Sequence, residues 1–279
     1  KENPELRAEW DAFYAGKPTG QAADAGFKPS DKTATRTAGG KALNLMADRY
    51  LNLVGGSADL SGPNKTQLKN GGGIYSAENR GGRTIEFGIR EFAMSALCSG
   101  ISLHGGLRPF CATFLVFSDY MRAQIRLASL MRQPVIYIFT HDSIYVGEDG
   151  PTHQPIETLA SLRAIPGVQV LRPGDAEETE AAWEMAMAAH DHRVCIILTR
   201  QDLLGYEKSD ADWKNTVKCG AYIAKDCEGA PDVTVLASGS EVSTAIAASK
   251  MAPEKKIRVV SVIDLKLFTN LSSADREKL

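Results

Sequence analysis

Hydrophobic residues along this chain recur in short continuous runs that alternate with longer amphipathic stretches. The apolar runs predict buried strands at 51–54, 84–87, 108–111, 135–139, 168–171, 194–198, 232–237 and 257–262. The amphipathic stretches between them predict helices at 37–50, 90–103, 114–131, 157–162, 175–189 and 241–250. Alternation of this kind favours parallel pairing of the strands. We therefore expect an α/β fold, with a parallel sheet that carries helices on both faces.

Polar segments rich in glycine and proline divide the chain into three parts. Residues 1–32 predict a linker arm that contains a short helix at 5–14, and the arm suggests that another segment precedes it. The main strand–helix alternation occupies 33–205. Residues 206–279 predict a linker and the start of a second α/β domain, which we expect to be truncated because 279 comes before its sheet could close.

Composition narrows the classes of function. The net charge of the 279 residues is −2, without a basic stripe, which argues against a nucleic-acid partner. No apolar segment approaches the roughly 20 residues that a membrane span requires. The five cysteines form no C-x-x-C pair, disulfide framework or zinc motif. These features favour a protein of the reducing cytoplasm.

A long polar loop follows the apolar run 135–139. Residues 140–156 read THDSIYVGEDGPTHQPI and contain two histidines and three carboxylates. In open parallel sheets, ligands bind beyond the carboxyl ends of the strands, where this loop would lie. A surface loop with incidental histidines is the other interpretation. His141, Asp149 and His153 could also suggest a metal site, but a spacing of twelve between the histidines is no helical ligand pattern, and no third anchor is apparent.

Other candidate side chains lie close to the predicted strands. Glu91 starts a predicted helix, a placement that the helix dipole alone would favour. Phe114, Phe117 and Tyr120 recur at a spacing of three, which predicts one helix face and is typical of a core. Arg200 follows the strand 194–198, and its guanidinium suits a phosphate dianion, although a solvated arginine is the simpler interpretation.

Four segments of this sequence resemble the transketolases, the thiamine-diphosphate enzymes of sugar-phosphate metabolism. They are GGSADL at 55–60, FGIREF at 87–92, GISLHGG at 100–106 and the span 140–155. The similarity runs through most of the chain. It covers the pyrimidine-binding domain of the family and the start of the C-terminal domain, whereas the diphosphate-binding domain is absent.

The resemblance implies an activity and its cofactors. Transketolases transfer a two-carbon ketol unit from a ketose phosphate, such as xylulose 5-phosphate, to an aldose phosphate, such as ribose 5-phosphate, in the pentose phosphate pathway. Thiamine diphosphate would lie between the pyrimidine domain of one subunit of a homodimer and the diphosphate domain of the other. The ligands of Mg²⁺ or Ca²⁺ would belong to the absent domain. We therefore expect the chain alone to lack activity and to bind the cofactor poorly.

The resemblance also assigns residues to the cofactor. Glu91 would bond the pyrimidine ring nitrogen and favour the imino form of the cofactor, whose own amino group takes the proton from the thiazolium C2. Phe114, Phe117 and Tyr120 would form the aromatic wall around the pyrimidine ring, because stacking needs flat side chains that are held rigidly.

Substrate residues follow by the same resemblance. Asp149 would bond a sugar hydroxyl and so distinguish configuration. His141 and His153 would meet the phosphate end or neighbouring hydroxyls, and His153 would also act near the carbinol. Arg36 and Arg200 would hold the phosphate.

Two positions depart from the family pattern. Pro63 replaces a serine whose hydroxyl donates to the substrate phosphate, and proline has neither a hydroxyl nor an amide hydrogen. Ser61 could take that role if the loop shifts. Tyr145 and Val146 replace the more usual Gly-Leu.

Three other interpretations stay open. The chain could be the C-terminal subunit of a split transketolase, or a dihydroxyacetone synthase that uses formaldehyde as acceptor. It could also be a non-catalytic dimerising fragment, since a half-site and an unfinished domain should expose apolar surface.

Overall fold

Ten strands lie in this computed structural model, which describes residues 3–279. They are β1 (Lys32–Ala34), β2 (Leu53–Ser57), β3 (Arg108–Phe114), β4 (Ile136–Thr140), β5 (Val168–Leu171), β6 (Arg193–Ile197), β7 (Asp202–Leu204), β8 (Ala221–Lys225), β9 (Val233–Ala237) and β10 (Ile257–Val262). Five of them form a wholly parallel sheet in the order β2-β3-β4-β6-β5. The short strands β1 and β7 pair antiparallel. The sequence did not predict β1, β7 or β8, which are short or lie beside polar linkers.

Helices connect these strands. They are α1 (Pro4–Tyr14), α2 (Thr35–Arg49), α3 (Ser61–Asn64), α4 (Glu91–His104), α5 (Ser118–Leu130), α6 (Thr158–Arg163), α7 (Ala176–Ala188), α8 (Trp213–Thr216), α9 (Glu241–Lys250), α10 (Leu265–Asn270) and α11 (Ser273–Glu277). Asp175 caps α7 as predicted, because its side chain accepts a hydrogen bond from the amide of Glu178 at 2.9 Å. No helix in the described residues is long and apolar enough to cross a membrane.

Each face of the central sheet packs against its own set of helices, because successive strand residues point to opposite faces. One apolar cluster joins the sheet to α2 and α7, through residues such as Leu43, Trp183, Phe110 and Ile136. The other joins it to α4 and α5, through Met94, Met121, Cys111 and Tyr137. This arrangement confirms the predicted α/β fold with helices on both faces of a parallel sheet.

Close packing at the edge strand β2 requires two glycines. A Cβ atom on Gly55 would lie 1.9 Å from the carbonyl oxygen of Phe110, and one on Gly56 would lie 2.0 Å from that of Ile85. The predicted strand at 84–87 is an extended segment beside β2 rather than a regular strand. Its contacts are a parallel bridge from Thr84 to Gly55 and a 2.8 Å hydrogen bond from the Ile85 amide to the Gly55 carbonyl.

The predicted helix 114–131 is wrong at its start. Phe114 ends β3, Leu115–Phe117 form a 3₁₀ turn, and α5 begins at Ser118. The mostly apolar stretch 109–117 runs past the end of the strand, and strands of a parallel sheet that are buried on both faces use such nearly continuous apolar runs. Phe114, Phe117 and Tyr120 therefore do not share one helix face.

The second domain packs on the first through a three-stranded sheet, β8-β10-β9. β10 pairs parallel with β9 and antiparallel with β8. Tyr222 of β8, Val242 of α9 and Val259 of β10 join the same apolar cluster as α2 and α7. The two domains therefore share one continuous core.

Candidate active site

The candidate site lies where the carboxyl ends of neighbouring parallel strands meet. Phe114, at the end of β3, is paired in register with Thr140, at the end of β4, and Phe139 is paired with Ile197 of β6. The loop 140–156 therefore starts beside the β3–α5 junction. This edge is the position at which open α/β sheets bind their ligands.

A buried chain of hydrogen bonds joins the loop that follows β2 to the end of β4. The Thr140 hydroxyl donates to Asn64 Oδ1 at 2.6 Å, and Asn64 Nδ2 donates to Ser57 Oγ at 3.2 Å. Ser57 Oγ also lies 2.6 Å from Thr66 Oγ1. The sequence analysis missed this network, since no periodic pattern links residues that are 76 positions apart. It fixes the loop after β2 against the end of β4.

His141 is buried within the site and has an unusual backbone conformation. Its backbone has a positive φ of 61°, which is rare for a residue other than glycine, and its side chain is only 3% exposed. Nδ1 lies 2.8 Å from Thr140 Oγ1. Because the single hydroxyl hydrogen of Thr140 goes to Asn64, Nδ1 must carry the hydrogen of this bond. In the neutral ring, Nε2 is then left as an acceptor.

Five rings form a cluster at the carboxyl edge. The centroids of Phe114 and Phe117 lie 5.7 Å apart with planes 12° from parallel, and the His141 ring stacks on Phe114 at 3.7 Å. His153 meets Phe117 edge-on at 5.3 Å. Tyr120 lies at the outer end of the cluster, 6.0 Å from Phe117, and is 68% exposed. The predicted aromatic group is thus brought together by the end of β3, the 3₁₀ turn and the first turn of α5.

Glu91 occupies the first turn of α4 and is 8% exposed. Within residues 3–279 its carboxylate forms no hydrogen bond or ion pair. Phe87 and Met94, on either side of it in the chain, belong to the same apolar cluster as Leu115 and Met121 at the β3–α5 junction. The chain neighbours of Glu91 therefore share a core with the β3–α5 junction that carries Phe114 and Phe117, and Glu91 is a buried acid that lacks a partner within the described residues.

Charged residues surround His141. Burial lowers the pKa of His141 to about 4, the positive charges of Arg36 and Arg200 and the proximity of His153 add to this effect, and Asp149 opposes it. Arg36 Nη1 donates to the Pro63 carbonyl at 2.9 Å, and Arg200 pairs with Glu148. Burial and Arg200 lower the pKa of Arg36, against Asp149 and Asp202. The structure thus brings these predicted substrate residues close enough to interact, and the charges of the two arginines oppose each other there.

The low pKa of His141 predicts a pH dependence of stability. The fold favours the neutral ring, so this stabilisation is complete above the ordinary pKa of 6.5 and is lost as the pH falls toward about 4, because the unfolded chain binds the proton first. The difference in unfolding free energy between the natural chain and His141→Gln should therefore shrink across this window. Urea titrations at a series of pH values measure it, and a difference that is the same at every pH would contradict the assignment.

Metal ligation was an alternative for the histidine loop. Among residues 3–279, no group of three or more His, Cys, Asp or Glu side chains is placed so that it could hold a metal ion. His141, Asp149 and His153 are therefore not arranged as a ligand set in this structure.

Comparison with known proteins identifies the family. Residues 31–204 match the family described as "Transketolase, pyrimidine binding domain", and residues 220–279 match "Transketolase-like TK C-terminal domain". This chain belongs to the transketolase family. The resemblance carried by the loop 140–155 is confirmed.

Individual transketolases match nearly the whole chain. The transketolase of Treponema pallidum is 52% identical over 266 residues, which cover 93% of this chain and 40% of that protein. The transketolase structure from Leishmania mexicana superposes with a TM-score of 0.89 at 36% identity and covers 99% of this chain and 41% of its own. The chain thus spans about 40% of the length of such relatives.

A shorter neighbour is also similar. The structure titled "Split gene transketolase, inactive beta4 tetramer" has a TM-score of 0.68 at 30% identity. The match covers 85% of this chain and 73% of the neighbour. Transketolase sequence of comparable extent therefore occurs as a separate polypeptide.

Proposed function

We propose that this chain carries one half of a thiamine-diphosphate site, and that the assembled enzyme is a transketolase. It would transfer a two-carbon ketol unit from a ketose phosphate, such as xylulose 5-phosphate, to an aldose phosphate, such as ribose 5-phosphate. The observation that carries the proposal is the ring cluster of Phe114, Phe117, His141 and His153 at the carboxyl edge of the sheet. The family membership of residues 31–204 supports the same reaction.

The residues present suit the pyrimidine half of the cofactor. The flat faces of Phe114 and Phe117 offer an apolar surface for a ring, and Tyr120 closes its outer side. Glu91 is a buried acid without a bonded partner in its own chain, so it can share a proton with a ring nitrogen. When bound, thiamine diphosphate supplies a carbon nucleophile at C2 of its thiazolium ring. Glu91 serves this chemistry by holding a proton on the opposite ring.

Substrate binding follows from the charges of the site. Arg36 and Arg200 hold the phosphate, since two guanidinium groups near one edge favour a dianion. Asp149 accepts from a sugar hydroxyl. His141, neutral and with Nε2 as acceptor, also suits a hydroxyl. His153, edge-on to Phe114 and Phe117, would act near the carbinol. The Pro63 carbonyl bonds Arg36, so this loop acts on the phosphate through that arginine.

The remaining assignments belong to the same proposal. Residues 1–32 form a linker arm, 33–205 the pyrimidine-binding domain and 206–279 a linker with part of the C-terminal domain. A diphosphate-binding domain supplies the ligands of Mg²⁺ or Ca²⁺, either in a homodimer or from another subunit. The assembled enzyme works in the cytoplasm, without nucleic-acid or membrane partners.

The isolated chain is expected to show no measurable ketol transfer, because the family resemblance places the ligands of the cofactor diphosphate and its metal in the diphosphate-binding domain. Adding a purified diphosphate-binding domain should restore turnover and raise the affinity for thiamine diphosphate. A coupled assay with xylulose 5-phosphate and ribose 5-phosphate measures the first, and calorimetry measures the second. Full turnover by residues 1–279 alone would refute the proposal.

A split enzyme is the second candidate, and the neighbour described as a split-gene transketolase supports it. That protein is titled inactive as a β4 tetramer, which agrees with the expected inactivity of this chain alone. A separate polypeptide that restores turnover and copurifies with this chain would identify the split form.

Assays on the same reconstituted sample distinguish two further candidate functions. Formaldehyde used in preference to ribose 5-phosphate would indicate dihydroxyacetone synthase. A non-catalytic dimerising fragment would associate through apolar side chains of α4, such as Phe92, Leu97 and Leu103, which are exposed. It would bind no cofactor even with the diphosphate domain present.

A further inference from the structure

The second domain reaches the active-site loop through one arginine. Arg172 follows β5 and is buried. Its Nε and Nη2 both donate to Asp142 Oδ2, at 3.1 and 2.8 Å. Asp142 is itself buried and directly follows His141 in the chain. One edge of the planar guanidinium thus holds the residue next to the histidine with two hydrogen bonds to a single carboxylate oxygen.

The other side of the same guanidinium is bonded to the second domain. Arg172 Nη1 donates to the Ser238 carbonyl at 2.8 Å and pairs with Glu241, and Nη2 donates to Ser240 Oγ at 3.2 Å. The turn 238–241 joins β9 to α9. The Arg172 amide also donates to the carbonyl of Ile263, after β10, at 2.9 Å. Every hydrogen-bonding nitrogen of Arg172 is therefore engaged, and most of its partners lie in the second domain.

Gly239 makes this contact sensitive to the turn. It has a positive φ of 62°, and a Cβ atom there would lie 2.7 Å from Cγ of Arg172. The arginine stem is therefore pressed against the backbone of the turn. A shift in the turn must move the guanidinium, since buried groups at van der Waals contact have no free volume.

His141 needs such support from outside its own loop. Its left-handed backbone is unfavourable for a residue with a side chain, and a conformation of this kind persists only when neighbouring contacts determine it. On the amino-terminal side, Thr140 is held by β4 and Asn64. On the carboxyl-terminal side, the next residue is Asp142, and its side chain is held by the ion pair with Arg172.

We propose that Arg172 is a positioning residue through which the turn 238–241 of the second domain sets the conformation of His141. It acts through Asp142 and touches neither cofactor nor substrate. The second domain thus contributes to the sugar-phosphate site without lying in it. The consequence for catalysis rests on the function proposed above, whereas the effect on His141 does not.

Histidine NMR on the 279-residue chain tests this positioning directly. The ring of His141 is assigned by the signal that His141→Gln removes from among the five histidines. Arg172→Met should raise the proton affinity of the His141 ring about tenfold, as the freed ring gains solvent. Amide exchange across 141–153 should become about tenfold faster.

Arg108→Met is the matched control for loss of a buried arginine. Arg108 is the first residue of β3, so it lies at the amino ends of the strands, opposite the candidate site. It donates to the carbonyls of Ala186 and Ala189. It should destabilise the chain without changing the His141 titration. An unchanged titration in Arg172→Met, or an equal shift in Arg108→Met, would overturn the proposal.

A change in the turn itself gives a second test that leaves Arg172 in place. Gly239→Ala should shift the His141 titration in the same direction as Arg172→Met. Gly229→Ala is its control, because Gly229 has a similar φ of 75° but its added Cβ would meet only Lys256 Nζ, at 3.6 Å. Equal shifts of the His141 titration in Gly239→Ala and Gly229→Ala would contradict a link from the turn through Arg172. If Arg172→Met does not fold, this pair of variants tests the proposal in its place.

Kinetics of the reconstituted enzyme complete the experiment. Arg172→Lys keeps the charge but loses the planar fork, and it should raise KM for the donor ketose phosphate about tenfold while kcat changes less. An unchanged KM alongside an altered His141 signal would overturn the catalytic part alone. Absence of ketol transfer in the natural reconstituted enzyme would refute the proposed function, while the NMR result still decides the role of Arg172.

Discussion

Glu91→Gln is expected to lower kcat of the reconstituted enzyme by about 10²–10⁴-fold. Glutamine keeps the shape of the side chain but cannot share a proton with the pyrimidine nitrogen as a carboxyl group does. The cofactor should still bind, because Phe114 and Phe117 provide the apolar surface. Steady-state kinetics at saturating thiamine diphosphate measure the loss, and calorimetry checks that binding persists.

Glu86→Gln is the matched control for this change. Glu86 lies five residues earlier, on the extended segment beside β2, and is exposed. It should leave kcat within the error of the assay. A Glu91→Gln enzyme that turns over at the natural rate would remove Glu91 from the mechanism.

Glu178→Ala is expected to produce the largest loss of stability, about 3–5 kcal/mol. Glu178 is fully buried on α7, where Oε1 accepts from the hydroxyls of Tyr206, Tyr222 and Ser261, and Oε2 accepts from the Gly174 amide at 2.7 Å. Alanine would leave these four donors without their acceptor. Tyr222 and Ser261 belong to β8 and β10, so the loss falls on the contact between the two domains. Urea unfolding followed by circular dichroism measures the effect.

The matched control lies on the same helix. Glu184 is exposed, and Glu184→Ala should change the free energy of unfolding by no more than about 0.5 kcal/mol. If both variants lost the same free energy of unfolding, the loss would come from a weaker α7 helix rather than from the missing buried hydrogen bonds. A stable Glu178→Ala chain would show that the domains do not depend on this acceptor.

The order of the main strands and helices could be predicted from the sequence. Val168–Leu171, Glu241–Lys250 and Ile257–Val262 have the predicted limits. Such elements are specified locally, since a buried parallel strand needs an unbroken apolar run and a surface helix needs one apolar face. The short strand β1 escaped prediction because it is stabilised by its partner β7 rather than by its own composition.

The candidate site was predictable only in part. Its loop could be found because polar residues at the end of a strand lie at the ligand-binding edge, and its family because long stretches such as 140–155 are distinctive. The placement of Phe114 on a helix was wrong, since an apolar run does not show where a strand gives way to a turn.

By itself, the sequence determined the α/β class and the main elements, because these depend on local pattern and composition. It determined the family through distinctive stretches such as 140–155, and the same resemblance named the candidate site residues. Only the tertiary structure decided how those residues are held. The chain from Ser57 through Asn64 to Thr140, the tautomer of His141 and the link from Arg172 to the second domain join positions far apart in sequence. Hydrogen bonds between distant positions leave no periodic signal, since their geometry exists only after the sheet and both domains have packed.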